Sequence, residues 1–255
     1  MSIIMNESEW VEEVLSKKTL GDRPSSTLLT IAKYYYNDGY SPKQVEEKLE
    51  LFLLQCDPNI SLVKWSDAID YAVKKGQVYT LRNIDLIPVR DKEMKTITSL
   101  KGVQQQRLAF TLLCLSRYLD MANEKNNHWI GVRDTDIMKM ANISTSIKRQ
   151  SAMYASLEEL GLIQFSKLVD NTNVRVLFQD DTSDVVLEVT DMRNLGYQFM
   201  HYMGGDFFIC ENCGITEKVR SPKKGRPQKY CTSCAVEIKT IQSVNAVMQR
   251  RFDVS

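Results

Sequence analysis

Cys210-Glu-Asn-Cys213 and Cys231-Thr-Ser-Cys234 decide how the C-terminal part of this 255-residue chain folds. Seventeen residues separate the two pairs, which is the ligand set and spacing of a tetrahedral metal site closed by four thiolates. A two-residue gap lets both sulfurs of a pair face one ion, and Gly214 lets the chain leave the first turn. The pattern predicts one structural Zn²⁺, with no open position for catalysis, held by Cys210, Cys213, Cys231 and Cys234.

Two disulfides or four unrelated thiols are the alternatives for these cysteines. Disulfides are rare inside cells, and residues 1–9 show neither the basic segment nor the apolar run of a signal peptide or membrane span. We therefore expect a cytoplasmic protein without a membrane partner. The remaining cysteines, Cys56 and Cys114, lie in apolar helical patterns and are predicted to be small buried hydrophobic residues without a catalytic role.

Positive charge is concentrated around the cysteine pairs. The whole chain has a net charge of +1, but residues 210–255 carry nine basic and four acidic side chains, a local net charge of +5. The segment Lys218–Lys229 between the pairs contains no acidic residue. Such a segment favours contact with phosphate groups. The predicted contact residues here are Lys218, Arg220, Lys223, Lys224, Arg226 and Lys229.

The first hundred residues are predicted to form a helical module and a connector, residues 1–100. Apolar residues at helical spacing predict helices over Glu7–Leu20 and Pro24–Tyr36. Two more helices are predicted after Ser41 and Ser61, each of which is a suitable N-cap. Residues 77–100 are expected to connect this module to the next, with a short helix after Asp91.

Part of this module resembles a known helical domain. The run from Gly39 to Phe52, followed by Cys56-Asp-Pro58, Trp65, Ile69 and Ala72-Val-Lys-Lys75, is similar to the small domain C-terminal to the catalytic part of many phage and plasmid primases. An unrelated helical bundle is the alternative. No primase catalytic pattern accompanies the run, so the resemblance implies a replication setting and no chemistry.

Residues 101–206 are predicted to form a winged helix-turn-helix domain. Their pattern gives a long helix Val103–Ala122, a short strand near Trp129, a compact helix from Asp134, a further helix and a two-stranded hairpin. The phrase Leu157-Glu-Glu-Leu-Gly-Leu-Ile163 resembles the passage from recognition helix into wing in that family. The resemblance implies a mainly α fold with small β elements and a nucleic-acid-binding surface.

In that arrangement Thr145–Leu160 would be the recognition helix, buried through Ile147, Tyr154, Leu157 and Leu160. Exposed side chains at its start are predicted to reach phosphates or base edges, and the wing tip would be Asp170–Asn173. Glu158 and Glu159 leave protein binding open as an alternative. The predicted nucleic-acid contacts of this domain are Thr145, Ser146, Lys148, Arg149, Gln150, Lys167, Asn173 and Arg175.

Residues 207–255 are predicted to form a zinc ribbon and a C-terminal helix. The segment resembles zinc ribbons in which an apolar strand enters each cysteine pair. Lys224-Gly-Arg-Pro227 resembles the minor-groove core of AT-hook peptides, with a basic solvated loop as the alternative. The last helix is predicted over Ala235–Phe252, and its apolar side suits packing on the ribbon or on another subunit.

The combined pattern predicts a protein that binds nucleic acid, DNA rather than RNA. The order of the modules resembles that of proteins carried by phages and mobile elements, which implies a role in replication or transcription control. The alternative is a phage effector that binds a host polymerase, ribosome or defence complex. An enzyme is not expected, because the sequence has no phosphate-binding glycine loop, dinucleotide motif, Ser/His/Asp set or HExxH helix. Asp180–Asp184 is predicted to be a solvated acidic turn, His128 to have no catalytic part, and His201 to pack among aromatic side chains.

Overall fold

A computed structural model of the chain describes residues 3–167, 173–220 and 227–252, with side chains up to residue 245. The chain divides into two compact units, one over Ile4–Asp85 and the other from Leu86 onward. The fold is mainly helical with small antiparallel sheets. Among the described helices, none has the length and hydrophobicity to span a membrane.

The unit Ile4–Asp85 contains four helices at the positions that the apolar spacing predicts. Asn6 caps the first by accepting a hydrogen bond from the N–H of Glu9, and Pro24 and Pro42 stand at the first positions of the next two. Ser41 begins the third helix in a capping box with Gln44. The helices are α1 (Glu7–Lys17), α2 (Pro24–Asn37), α3 (Pro42–Cys56) and α4 (Leu62–Gly76).

Helices α2 and α4 approach each other closely at Gly76. A Cβ added there would lie 2.8 Å from the Cβ of Ala32, so a larger residue would separate the two helices. The apolar faces of all four helices form one core, which includes Ala32. Its fully buried members are Val11, Leu28, Ile31, Ala32, Val45, Leu49, Leu53 and Ala72.

A buried ion pair links the start of α1 to α2. The Lys33 ammonium group contacts the Glu7 carboxylate, and each side chain is 5% exposed. Burial lowers the pKa of Lys33, while the hydrogen bond and charge of Glu7 oppose that shift. The same carboxylate accepts the backbone N–H of Arg82 at 2.9 Å, so the pair also holds the chain segment that follows α4.

Replacing Lys33 by methionine tests this pair. The variant keeps the apolar stem but leaves the buried Glu7 carboxylate with the half-exposed Arg82 as its charged partner. Because an incompletely compensated buried charge is costly, we expect the free energy of unfolding to fall by about 3 kcal/mol. Urea unfolding followed by tryptophan fluorescence measures the loss, since Trp10 and Trp65 lie in this unit.

Lys17→Met is the matched control, because the ion pair of Lys17 with Glu13 is more than half exposed on both sides. Such exposed pairs contribute at most about 1 kcal/mol. Equal losses in the two variants would contradict a structural role of the buried pair.

The second unit begins with a strand and contains three small antiparallel sheets. Strand β1 pairs with β5, β4 lies between β2 and β3, and β6 pairs with β7. The elements, in chain order, are β1 (Ile87–Arg90), α5 (Asp91–Thr98), α6 (Val103–Ala122), β2 (Trp129–Ile130), α7 (Asp134–Met140), α8 (Ile147–Glu159), β3 (Ile163–Phe165), β4 (Val174–Val176), β5 (Val185–Val189), α9 (Leu195–Tyr202), β6 (Phe207–Ile209), β7 (Thr216–Lys218) and α10 (Thr232–Phe252).

Helix α6 forms the centre of this unit. Every residue from Leu108 to Tyr118 is buried, so the middle of the helix is covered on all sides. Phe110 packs on Phe199 of α9, with ring centroids 5.5 Å apart. Cys114 on this helix is fully buried, as predicted, whereas Cys56 on α3 is half-buried.

Strand β1 lies inside the segment that was predicted to be a connector. Ile87 pairs with Val189, and the register continues to Arg90 opposite Val185 with a shift at its end. The helix that follows, α5, contributes Glu93, which is fully buried. Residues from 87 onward therefore belong structurally with the elements that follow them.

Arg117 of α6 connects Glu93 to the acidic turn Asp180–Asp184. Its guanidinium group donates to the Glu93 carboxylate at 2.6 Å, to the Asp180 carbonyl at 2.6 Å and to the Asp181 carboxylate at 3.1 Å. Hydrogen bonds from Ser183 and Thr182 lower the pKa of Asp180. The turn was predicted to be a solvated loop, but these bonds attach it to the core.

Candidate functional site

The four predicted ligands come together in one cluster. The sulfurs of Cys210, Cys213, Cys231 and Cys234 all lie within 4.8 Å of one another, and the Cys213 and Cys231 sulfurs are 3.8 Å apart. A tetrahedron with metal–sulfur bonds of about 2.3 Å has edges of about 3.8 Å. The cluster is therefore compatible with one structural metal ion.

Different elements supply the two cysteine pairs. The hairpin β6–β7 carries Cys210 and Cys213, and Gly214 leaves the turn with a φ of 73°. The second pair was expected to follow a strand and to precede a helix beginning at Ala235. Instead α10 begins at Thr232, so Cys234 lies in its first turn. The partial positive charge of a helix N-terminus stabilises a thiolate at this place.

Polar hydrogens surround the sulfurs. The Cys231 N–H donates to the Cys210 sulfur at 3.3 Å, and the Asn212 side-chain amide donates to the Cys234 sulfur at 3.3 Å. Donors of this kind orient metal-bound thiolates and lower their proton affinity. Burial alone raises thiol pKa, but at Cys210 the N–H groups of Cys231, Cys213 and Asn212 outweigh it and lower the pKa to about 6. At Cys213 burial prevails and the pKa rises to about 12.

Little apolar material supports the cysteine cluster. Cys210, Cys231 and Cys234 are 2%, 4% and 6% exposed, and their packed neighbours are Cys213, Ile215 and Tyr230. A core of this size does not offset the entropy of ordering the hairpin and the start of α10. We infer that metal binding supplies most of the stability of this segment.

Metal removal tests this inference. We expect a chelator, or the variant Cys213→Ser, to unfold residues 207–234 while helices α1 to α4 keep their amide protection. In Cys213→Ser the metal affinity falls by more than the roughly 100-fold that loss of an outer hydrogen bond can cause. Hydrogen exchange and limited proteolysis measure the first effect, and chelator competition measures the second.

Cys56→Ser is the control, because this cysteine belongs to α3 of the other unit. Its metal affinity should equal that of the wild type. Unchanged protease resistance of residues 207–234 after metal removal would refute a structural metal.

The start of α8 presents the predicted basic contacts. Ser146, Lys148 and Arg149 are exposed, while Thr145 and Gln150 are half-buried. The Gln150 side-chain amide donates to the Thr145 carbonyl at 3.0 Å, which fixes both residues next to the two cations. The structure thus brings these five predicted residues to one end of α8.

Two residues predicted to bury α8 are exposed. Ile147 is 80% exposed and Leu160 is 58% exposed, whereas Tyr154 and Leu157 are buried as predicted. Ile147 is the first residue of the helix, and Leu160 follows its last residue. Both lie beyond the helix turns that pack on the core, so the helical spacing that predicted their burial does not apply to them.

The predicted wing contacts lie on or beside the sheet β2–β4–β3. Arg175 stands opposite Trp129 and Gln164 on the central strand, and its side chain donates to the Asn127 carbonyl at 3.0 Å. Lys167 is exposed, and Asn173 is half-buried with its carbonyl accepting the Ser166 N–H at 3.0 Å. Residues 170–172 of the predicted wing tip lie outside the described residues.

Two of the predicted basic contacts near the metal cluster have partners within the protein. Lys229 forms an ion pair with Glu211 at 3.0 Å, and the Arg220 guanidinium group donates to the Thr232 hydroxyl. Lys218 is exposed on β7. Lys223, Lys224 and Arg226, with most of the AT-hook-like sequence, lie outside the described residues.

The two histidines have different surroundings, His128 beside a carboxylate and His201 at the surface. His128 contacts the Asp120 carboxylate at 2.6 Å through Nδ1, and this carboxylate also accepts a hydrogen bond from Asn126. His201 is exposed at the end of α9, so its predicted packing among aromatic side chains is wrong.

Sequence patterns did not indicate one polar junction near the metal cluster. Asn142 and Asn194 both have positive φ angles, 55° and 51°, and the Asn142 side-chain amide donates to the Asn194 side-chain oxygen at 3.0 Å. Asparagine is one of the few residues other than glycine that adopt the left-handed conformation, and Asn142 does so after the end of α7. The pairing of two such residues depends on the tertiary fold.

Comparisons with known proteins found no match to this chain among family models, curated proteins or solved structures. The function is therefore inferred from the chain's own residues and their geometry.

Proposed function

We propose that this protein binds nucleic acid, with duplex DNA as the preferred polymer, through the start of α8. The observation that carries the proposal is the exposure of Lys148 and Arg149 together with Ser146 and Ile147 at one helix end. Cations neutralise phosphates, the hydroxyl group can hydrogen-bond to the backbone or to base edges, and an exposed apolar side chain suits the thymine methyl group.

The arrangement around α8 supports a winged helix-turn-helix. The chain runs through α6, β2, α7, α8, β3 and β4 in that order, and the antiparallel sheet has the order β2–β4–β3. In such a domain α8 would be the recognition helix in the major groove, and the β3–β4 connection would be the wing. Arg175 and Lys167 lie beside that connection.

We propose zinc as the metal of the four-cysteine cluster. Four thiolates in a closed shell favour Zn²⁺ over Mg²⁺ or Ca²⁺, which require oxygen ligands. With all four positions occupied by protein, the ion would have a structural role. We accordingly propose a binding protein and not an enzyme.

Residues beside the metal cluster would extend the contact with phosphate. Lys218 and Arg220 are exposed on and after β7, and the local sequence has a net charge of +5 over residues 210–255. Lys229 contributes less, because Glu211 already neutralises it. The sequence resemblances to phage and plasmid proteins suggest a role in replication or transcription control of a phage or mobile element.

A second candidate function is binding to a host protein complex. Helix α10 favours it, because Val236, Ile241 and Val244 are each at least half exposed. Exposed apolar residues on one helix are typical of protein-binding surfaces. In this case the polymerase, ribosome or defence complex of the host would be the partner.

Charge reversal at the start of α8 tests nucleic-acid binding. We expect Lys148→Glu with Arg149→Glu to weaken duplex binding at least tenfold at low salt, because attraction to two phosphates becomes repulsion. The slope of log affinity against log salt should become shallower by about 1.8, since each phosphate that the protein neutralises adds about 0.9 to it. Fluorescence anisotropy with a labelled duplex at several salt concentrations measures both quantities.

Lys101→Glu with Lys125→Glu is the matched control, since both lysines are exposed in the same unit and neither belongs to α8 or to the predicted contacts. It changes the net charge equally and should leave most of the affinity. Loss of binding in both double variants alike would remove α8 from the proposal. Failure of the wild type to bind duplex DNA, single-stranded DNA and RNA at low salt would refute the proposal and favour a protein partner.

A further inference from the structure

The metal cluster and the turn before α8 are connected by the junction of Asn142 and Asn194. Asn142 follows α7, and Asn194 precedes α9. Both adopt the left-handed conformation, which directs their side chains into hydrogen bonds between two turns. The first step of the connection is the 3.0 Å bond from the Asn142 amide to the Asn194 side-chain oxygen.

On one side, the junction is attached to the cysteine hairpin. The Asn194 side-chain amide donates to the carbonyl of Thr216 in β7 at 3.0 Å, and Thr216 is 4% exposed. The preceding residue, Arg193, donates to the carbonyl of Cys213 at 2.6 Å. The segment before α9 is therefore held at two points by backbone carbonyls whose positions depend on the hairpin.

On the other side, the junction fixes the chain between α7 and α8. The Asn142 side-chain oxygen accepts the N–H of Tyr197 at 3.0 Å, and its backbone carbonyl accepts a hydrogen bond from Arg107 of α6. At Gly196 an added Cβ would lie 2.0 Å from the carbonyl oxygen of Ala141. The first turn of α9 is thus fitted directly onto the turn that leads into α8.

We propose that Asn142 and Asn194 are positioning residues that make the order of the turn before α8 depend on metal binding at the four cysteines. Without the metal, the hairpin loses its fixed geometry and the carbonyls of Thr216 and Cys213 no longer anchor the junction. Helix α9 stays on α6 through Phe199 and Phe110. The loss of order is therefore confined to the first turn of α9, the turn after α7 and the start of α8.

The consequence for nucleic acid rests on the proposed function. If the metal orders the start of α8, it increases the affinity of α8 for DNA. By linkage, DNA must then increase the affinity for the metal by the same factor, which for such couplings is about 5 to 150. Metal binding at the four cysteines would thereby increase DNA affinity at the start of α8, although none of the cysteines belongs to that surface.

Hydrogen exchange on the full-length chain tests the junction without any nucleic acid. The probes are the amides of Tyr197 and Ile143. The Tyr197 N–H donates to the Asn142 side-chain oxygen at 3.0 Å and to the Asn194 carbonyl at 2.9 Å, so it reports on both asparagines, and the Ile143 N–H donates to the Met138 carbonyl at 2.9 Å. We expect exchange at both to accelerate about tenfold when zinc is removed by a chelator, a factor within the usual range of coupling. If the hairpin loses protection while these two amides do not, the proposal is wrong.

Asn194→Gly separates the junction from the metal cluster. Glycine adopts the positive φ without strain, so the variant removes the side-chain bonds and keeps the backbone. We expect fast exchange at Tyr197 and Ile143 even with zinc, and a zinc affinity about tenfold weaker by chelator competition. A full wild-type response to zinc in this variant would overturn the role of Asn194.

Asn127→Gly is the matched control. Asn127 has a φ of 52° in the same unit, and its side-chain amide donates to the nearby Lys125 carbonyl at 3.3 Å. The same change at this position should alter neither zinc affinity nor exchange at Tyr197. An equal effect of both substitutions would show a general loss of stability and contradict the proposal.

Measuring duplex DNA affinity with and without zinc tests whether the Asn142–Asn194 junction couples metal binding to DNA binding. We expect zinc to tighten binding by the wild type at least about fivefold and to have less than about a twofold effect on Asn194→Gly. Equal responses would overturn the coupling. If the zinc-loaded wild type binds no duplex at all, the proposed function fails, and the exchange experiment still decides whether the metal orders the turn.

Discussion

Four cysteine sulfurs within 4.8 Å of one another are the constraint on which the end of this chain depends. Four thiolates at that separation would repel one another, and burial would strengthen the repulsion because the local dielectric constant is low. The few packed neighbours, Ile215 and Tyr230 among them, do not offset this energy. A bound cation converts the repulsion into attraction. The hairpin β6–β7 and the first turn of α10 then share a single point of attachment.

Helix α9 connects the cysteine hairpin to the core of the second unit, because it packs on both. The ring centroid of Tyr197 in α9 lies 5.0 Å from that of Phe207 in β6. Phe199, also in α9, packs on Phe110 of α6. Gly196 allows the backbone of α9 to touch Ala141. A side chain at Gly196 would force α9 away from the turn before α8. The metal cluster, α9 and that turn are therefore fitted to one another and do not pack independently.

Local patterns in the sequence predicted the features that depend on neighbouring residues. The helices of Ile4–Asp85 follow from apolar spacing and caps, and the cysteine cluster follows from ligand chemistry at short spacing. The pairing of β1 with β5 was not predicted, because the partner strand lies far along the chain. In addition, the four residues of β1 are too few to show the alternation of apolar and polar residues that identifies a strand. Ile147 was assigned to the core by its spacing, but α8 begins there. The Asn142–Asn194 bond depends on tertiary packing that no local pattern indicates.

The distribution of charge shows why the start of α8 carries the functional proposal better than the cysteine segment does. A count of basic residues favours the cysteine segment, yet Glu211 neutralises Lys229 there. Lys148 and Arg149 are exposed beside an apolar side chain that is 80% exposed. Burying Ile147 against a base would release water from apolar surface, whereas the lysine and arginine would contribute a salt-dependent attraction. An affinity composed of these two contributions would weaken with salt but keep a component that salt does not remove.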